Sequence, residues 1–192
     1  MLLDHINNIL FDSQYFILEF IGRLAFPLFI YLSVTSYMYH THSKEKYIMR
    51  VFIFACISVP FCYYGFDFSL LPLNIFFSIF LGLIVIYMIE NRYYLFIWLP
   101  FVLALYVDYS FYSVLCFIAF YNFFNQKNIV NFLMLFVALF LLNPYYLNGY
   151  LPLFFLLIYL DTKYKLNFKS FLNKYVFYTF YPLHIAFLGL LK

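Results

Sequence analysis

"YYLFIWLPFVLALYVDYSFYSVLCFIAFYNFF", residues 93–124, reads either as one long apolar helix or as two shorter ones that turn back at "YVDYS", 106–110. The choice decides the fold, and charge on either side settles it. Charge, Pro and Gly punctuate the chain into apolar segments near 1–11, 15–39, 47–64, 71–90, 93–106, 109–124, 128–142, 147–160 and 174–191. If these alternate in direction, Lys44, Lys46, Arg50, Arg92, Lys127, Lys163, Lys165, Lys169 and Lys174 all fall on one side, leaving only Arg23 and Lys192 elsewhere. By the positive-inside rule that side is the cytoplasm. Fusing 93–124 into one helix would throw Lys127 and the 163–174 lysines across from Arg92, so the two-helix reading stands.

Composition points the same way. Of 192 residues, 67% are hydrophobic, 28% aromatic and 10% charged, whereas a soluble domain has about 45–50% apolar and about 25% charged residues. A spanning helix needs about 20 apolar residues, and the apolar runs are continuous rather than alternating, which disfavours a barrel. The expected fold is all-α: a single domain over 1–192, a polytopic transmembrane bundle of eight or nine helices in the lipid bilayer. The turn around Asp67 is expected outside and the 161–174 connection inside, its lysines meeting anionic headgroups. No basic cluster suggests nucleic acid. Cys56, Cys62 and Cys116 lie in apolar runs without metal-ligand spacing and read as packing residues. His40 and His42 in "YHTHSK" lack a third ligand nearby and read as loop residues, so no metal site is expected. No positively charged stretch precedes the first apolar residues, so no cleavable signal peptide is expected.

Several polar side chains sit where lipid should exclude them. At 1.5 Å per residue, His5 lies about 10 Å below the outer surface, Arg23 about 12 Å and His184 about 10 Å, with Asn74 and Asp108 shallower. An Arg or Asp at a helix centre costs about 2.5–3.5 kcal/mol on insertion scales, so these groups should face each other or water. One reading is interhelical glue, with Arg23 neutralising Asp4 or Asp108, since polar contacts commonly tie helices together. The other is a site: separate helices bring polar groups to one depth, and intramembrane ionisable residues often mark function.

"MLLDHIN" at 1–7, "IGRLAFPLFIYL" at 21–32, "YIMRVFIFACISVPFCYY", "LPLNIFFSIFLGL", "VDYSFYSVL" and the closing "FYTFYPLHIAFLGLL" together resemble the TraX family of inner-membrane pilin acetylases in F-type conjugation. The motifs occur in the family's order, from one end of the chain to the other. The resemblance implies an enzyme of the bacterial inner membrane that moves an acetyl group from acetyl coenzyme A to the amino terminus of a pilin subunit, with no metal. Family members carry more chain before the Asp-His pair than the three residues here, so the first helix is expected to be truncated and too short to span.

The chemistry assigns roles. An alkylammonium becomes a nucleophile only on losing a proton, and His is the side chain that changes charge near neutral pH. His5 is the first candidate for acid/base work and His184 the second. Asp4 is expected to orient a base or stabilise an imidazolium. Adjacent helical residues point about 100° apart, so a direct Asp4 to His5 bond does not follow. The oxyanion formed at the thioester carbonyl is expected to meet Arg23, Asn74 or the second histidine. Asp108, Tyr109 and Tyr181, from the matched motifs, join Asn74 as candidate substrate contacts. The competing class is a non-enzymatic assembly factor for a pilus or secretion system, in which the same groups only dock helices. A small-solute transporter ranks third, because repeated halves and interrupted helix pairs are missing.

Overall fold

The computed structural model describes residues 1–66, 71, 73–142, 154, 155, 159 and 174–191, the side chains of 174–177 excepted. Among these residues the regular secondary structure is helical and the only β pairing is the isolated parallel bridge Leu73 to Val107. The helices are α1 Leu2–Leu10, α2 Phe16–Arg23, α3 Ala25–Thr35, α4 Lys44–Gly65, α5 Ile75–Glu90, α6 Trp98–Leu103, α7 Ser110–Asn125, α8 Ile129–Leu142 and α9 Lys174–Leu191. Every segment read from the sequence falls on one of these helices or its 3-10 and π extensions, except 147–160. Of that segment only Phe154, Phe155 and Tyr159 are described, all three helical, and the turn at Asp67 and the 161–173 connection lie outside the described residues.

Residues 93–124 form two arms, as the charges require. The first is a 3-10 turn at Tyr94–Phe96, α6, and a second 3-10 turn at Ala104–Tyr106; the second is α7. Val107 is extended, and Tyr109 and Ser110 take left-handed φ values of 63° and 49°. No helix runs through such a sequence of torsions.

Residues 16–40 are helical with one interruption at Leu24. Pro27 explains it. Proline has no N–H for the carbonyl four residues earlier and its ring crowds that carbonyl, here Arg23, the last residue of α2. The far end of α3 loosens into a π turn, Ser36–His40, whose Ser36 carbonyl is met by the Thr41 hydroxyl at 2.8 Å.

Apolar residues at helical spacing supply the core: Phe26, Ile30 and Val34 on α3, Ile79, Leu83 and Ile86 on α5, Phe117 and Phe120 on α7, Leu135 and Leu139 on α8. Burying each such side chain contributes about 1.5–3 kcal/mol in water; within lipid the gain comes from close packing instead. The outward faces are equally apolar, with Ile17, Leu95, Ile129 and Leu190 all more than two thirds exposed. Phe16–His40 and Lys44–Gly65 are long and apolar enough to cross a membrane; 75–90, 94–106, 110–125, 129–142 and 178–191 are shorter apolar helices.

The bundle has two chemically distinct ends. At one, the Glu90 carboxylate accepts from Lys44 Nζ at 2.8 and 2.9 Å, from the Tyr37 hydroxyl at 2.7 Å and from the Tyr121 hydroxyl at 3.2 Å. These bonds pin together the ends of four elements, the π turn, α4, α5 and α7. Lys46, Arg92 and Lys127 belong to the same end. The other end, about 24 Å away along the 16 residues of α5, gathers Asp4, His5, Arg23, Asn74 and Asp108.

Candidate functional site

The site begins with how α1 turns into α2. Asn7, buried at the core of α1, accepts the Tyr15 N–H on its side-chain oxygen at 2.9 Å, while its backbone carbonyl accepts from Phe11 and Ser13. This turn lays α1 along α2, and Gly22 sets how close they come: a Cβ there would collide with the Asp4 Cβ and its backbone. Across the bundle, Gly65 on α4 makes the same kind of room for Ile185 of α9. Two close approaches therefore bring the first helix and the last one to the same place.

There His5 and His184 meet. Nδ1 of His5 is 2.8 Å from Nε2 of His184, both residues are buried, and the rings stack with centroids 5.0 Å apart. Phe66 and Tyr181 turn ring edges toward His5 at 5.4 and 5.8 Å. The other nitrogen of His184, Nδ1, lies 2.6 Å from the Phe180 carbonyl. A carbonyl only accepts, so that nitrogen carries the proton. For a neutral pair the remaining assignment follows: Nε2 of His184 accepts, Nδ1 of His5 donates to it, and Nε2 of His5 keeps its lone pair. The first histidine is thereby left in the form of a base.

Arg23 closes the opposite wall. Its Nη2 donates to Glu19 at 3.1 Å, one helical turn away, and its Nε is 3.8 Å from Oδ1 of Asp4. That separation is an ion pair but too long for a hydrogen bond, and neither Nε nor Oδ1 has a hydrogen-bond partner despite being buried. One donor and one acceptor thus stand in reserve, side by side. The guanidinium also lies 5.9 Å from the centre of the Tyr109 ring.

Asn74 and Asp108 come together through the backbone. Leu73 N–H donates to the Tyr106 carbonyl at 2.8 Å and the Leu73 carbonyl accepts from Asp108 N–H at 3.0 Å, which ties the start of α5 to the α6–α7 turn. Asn74 caps α5 by accepting from Phe76 N–H at 3.1 Å and donates to the Ala55 carbonyl at 2.9 Å, leaving one amide hydrogen spare. The Ser78 hydroxyl donates to the Asp108 carbonyl at 2.6 Å. Asp108 lies in the turn, where burial raises its carboxyl above the usual carboxylate range against the pull of Arg23. Tyr109, held in its left-handed conformation, stacks on Phe26 with centroids 4.1 Å apart.

Asp4, His5, Arg23, Asn74, Asp108, Tyr109 and Tyr181 all line one cavity of about 320 Å³. His184 stands behind His5. All the residues assigned to the candidate site from the sequence thus converge. Asp4 and His5 divide their partners as the helix angle requires: His5 pairs with His184 and Asp4 with Arg23. The sequence reading passed over Glu19 and Asn7. The Glu19-x-x-x-Arg23 spacing, a standard helical ion pair, carried a signal for the first; a lone Asn in "DHINN" carried none for the second.

Among the described residues no three His, Cys, Asp or Glu side chains are placed to hold a metal, and His40 and His42 lie at the far end of the bundle. Cys116 is buried as packing, and the Cys62 thiol is 3.7 Å from the Tyr181 hydroxyl. Cys56 instead is exposed on α4, so it packs nothing inside.

No curated protein and no solved structure matches this chain. One family model, described as TraX protein, matches residues 1–192 from end to end, and the chain belongs to the TraX family.

Proposed function

We propose that this chain is a membrane-embedded acetyltransferase of the bacterial inner membrane, moving an acetyl group from acetyl coenzyme A to the amino terminus of a pilin subunit. The TraX family is linked to pilin processing in conjugation, and the observation that carries the catalytic reading is the histidine pair. A buried imidazole held as a base, opposite an arginine with a donor in reserve, is what amine acylation requires.

The polar cavity suits the reacting ends. At about 320 Å³ it falls at the lower limit of small-molecule sites, about 300–1,000 Å³, room for an amine terminus and a thioester but not for a whole coenzyme. The neutral amine adds to the thioester carbonyl carbon while a proton passes from nitrogen to His5. The oxygen, now negative, accepts from Arg23, with the spare Asn74 hydrogen within the same cavity. The carbon–sulfur bond then breaks and His5 returns the proton to the departing thiolate, giving an amide and free coenzyme A. His184 holds His5 in the basic tautomer. Asp4 offers its free oxygen to an N–H of the incoming amine.

The membrane reading rests on the apolar outer faces and on the two long apolar helices. We take the shorter helices to cross as well, which makes the protein multi-pass, and the Glu90 end, rich in Lys and Arg, to be cytoplasmic. The histidine pair then faces the periplasmic half, where a pilin exposes its amino terminus.

Intact mass of the pilin from cells with and without this gene tests the acceptor, with a gain of 42 Da, about one acetyl group in place of one hydrogen, as the expected difference. Unchanged mass removes pilin as the acceptor. Purified protein that never moves label from acetyl coenzyme A to any amine would favour the assembly factor, with the polar groups serving only to dock helices.

A further inference from the structure

A second cavity, of about 300 Å³, adjoins the first. Ala25, Ile75, Tyr181 and Met1 border both, so the two share a wall at the histidine site. From there the second cavity extends one helical turn deeper, past Phe29 of α3 and Phe76 and Ile79 of α5, to Phe180 of α9. The tyrosine hydroxyl of Tyr181 is the one side-chain polar group among its lining residues. The reacting centre therefore has a polar chamber on one side and an apolar one on the other.

Three substituents meet at a thioester carbonyl carbon, and their chemistry sorts them between these chambers. The oxygen develops negative charge and belongs with Arg23. The sulfur leads to a carrier arm containing amides, whose burial without partners costs about 2–7 kcal/mol. It does not belong in an apolar chamber, and neither does the ammonium of the acceptor. The alkyl part of the acyl group is the only substituent that an apolar wall favours. A methyl group is about the size of a water molecule, whose share of the liquid is about 30 Å³. Acetyl would leave most of the second cavity unfilled, whereas a longer alkyl chain would lie along its apolar lining.

On the acyltransferase reading given above, we infer that the second cavity is the acyl pocket and that it takes straight-chain acyl groups longer than acetyl, in the range of butanoyl to octanoyl. The donor class is an acyl coenzyme A thioester, and the reaction keeps the same balance: the nitrogen–carbon bond forms, the carbon–sulfur bond breaks, and the amine's proton leaves with the thiol. Phe29 lines the chamber midway along it, so the size of this side chain governs the chain length accepted.

The test uses the full chain purified in detergent, an amine-bearing pilin peptide, and acetyl, butanoyl, hexanoyl and octanoyl coenzyme A, each read by product mass. Transfer of butanoyl or hexanoyl at a kcat/KM within about tenfold of acetyl is the expected result. Phe29→Ala should move the preferred length upward, and Phe29→Trp should depress hexanoyl and octanoyl transfer at least tenfold more than acetyl transfer. A merely structural lesion would lower all donors together, and that outcome counts against the pocket. Acetyl transfer with longer donors neither transferred nor competing would overturn the inference and leave the acetyltransferase reading intact. Absence of transfer from every donor, acetyl included, would instead sink the enzyme reading on which the pocket rests.

Discussion

The Phe180 carbonyl decides what two histidines can do. By holding the proton on Nδ1 of His184 it makes Nε2 an acceptor, and this in turn keeps the proton of His5 on the nitrogen that faces its partner. His5→Gln preserves a buried polar group at that place but removes the proposed base. It should insert and melt like the parent while slowing transfer by about 10²–10⁴, the usual worth of a positioned proton acceptor; a folded variant acylating at the parent rate would make the pair helix glue. Asp108 gives a second, independent prediction. A carboxyl raised by burial is penalised when ionised, so its cost is absent at low pH and grows as pH rises toward the raised value. Asp108→Asn should therefore melt higher than the parent at neutral and alkaline pH, and the two curves should converge in acid, as thermal melts across pH would read. The sequence placed His5, Arg23 and Asp108 in the same outer half of the bundle because charge in an apolar run is conspicuous. It did not show that His5 would choose His184 over its neighbour Asp4, since that choice depends on where the last helix lies against the first.

At the level of elements, the site depends on approaches that a single methyl group would spoil. α1 rests on α2 at Gly22, where an added Cβ meets the backbone and side chain of Asp4. Gly22→Ala should destabilise the protein by about 1–3 kcal/mol, the usual cost of overpacking, and should lower activity because Asp4 moves away from Arg23; unchanged melting with full activity would show that α1 is not held against α2 as described. Asn74 tests the other wall. Asn74→Ala removes both the α5 cap, worth about 1 kcal/mol, and the bond to the Ala55 carbonyl, while Asn74→Asp, melted in acid so that its buried carboxyl stays neutral, keeps the cap. The expected order of melting temperature is Asn, then Asp, then Ala. Helix positions were legible from apolar runs and punctuation, since both act locally. The break at Leu24 was not read, although Pro27 marks it, because the apolar run continues past it. The left-handed Tyr109 was also missed: a large aromatic residue is disfavoured there and is retained by its stack on Phe26.

For the whole molecule, the question is which way the two ends face, and the Glu90 network makes the answer testable at chosen residues. Lys44, Tyr37 and Tyr121 converge on that carboxylate and so bind the ends of α4, α5, α7 and the π turn into one face. Asn128, in the connection between α7 and α8, belongs to this face, whereas Asp12, between α1 and α2, belongs to the opposite one. On the membrane reading proposed above, the lysines and arginines of the Glu90 face would put it in the cytoplasm by the positive-inside rule. In a background with the three native cysteines replaced, Asp12→Cys should react with a membrane-impermeant thiol reagent applied to cells whose outer membrane has been permeabilised. Asn128→Cys should react only after the inner membrane is opened. The reverse pattern would turn the protein over and place the histidine pair in the cytoplasmic half, where an exported amino terminus cannot reach it. Labelling of both from outside would dissolve the two-ended bundle altogether, because about 24 Å of apolar helix would then separate two faces in the same compartment.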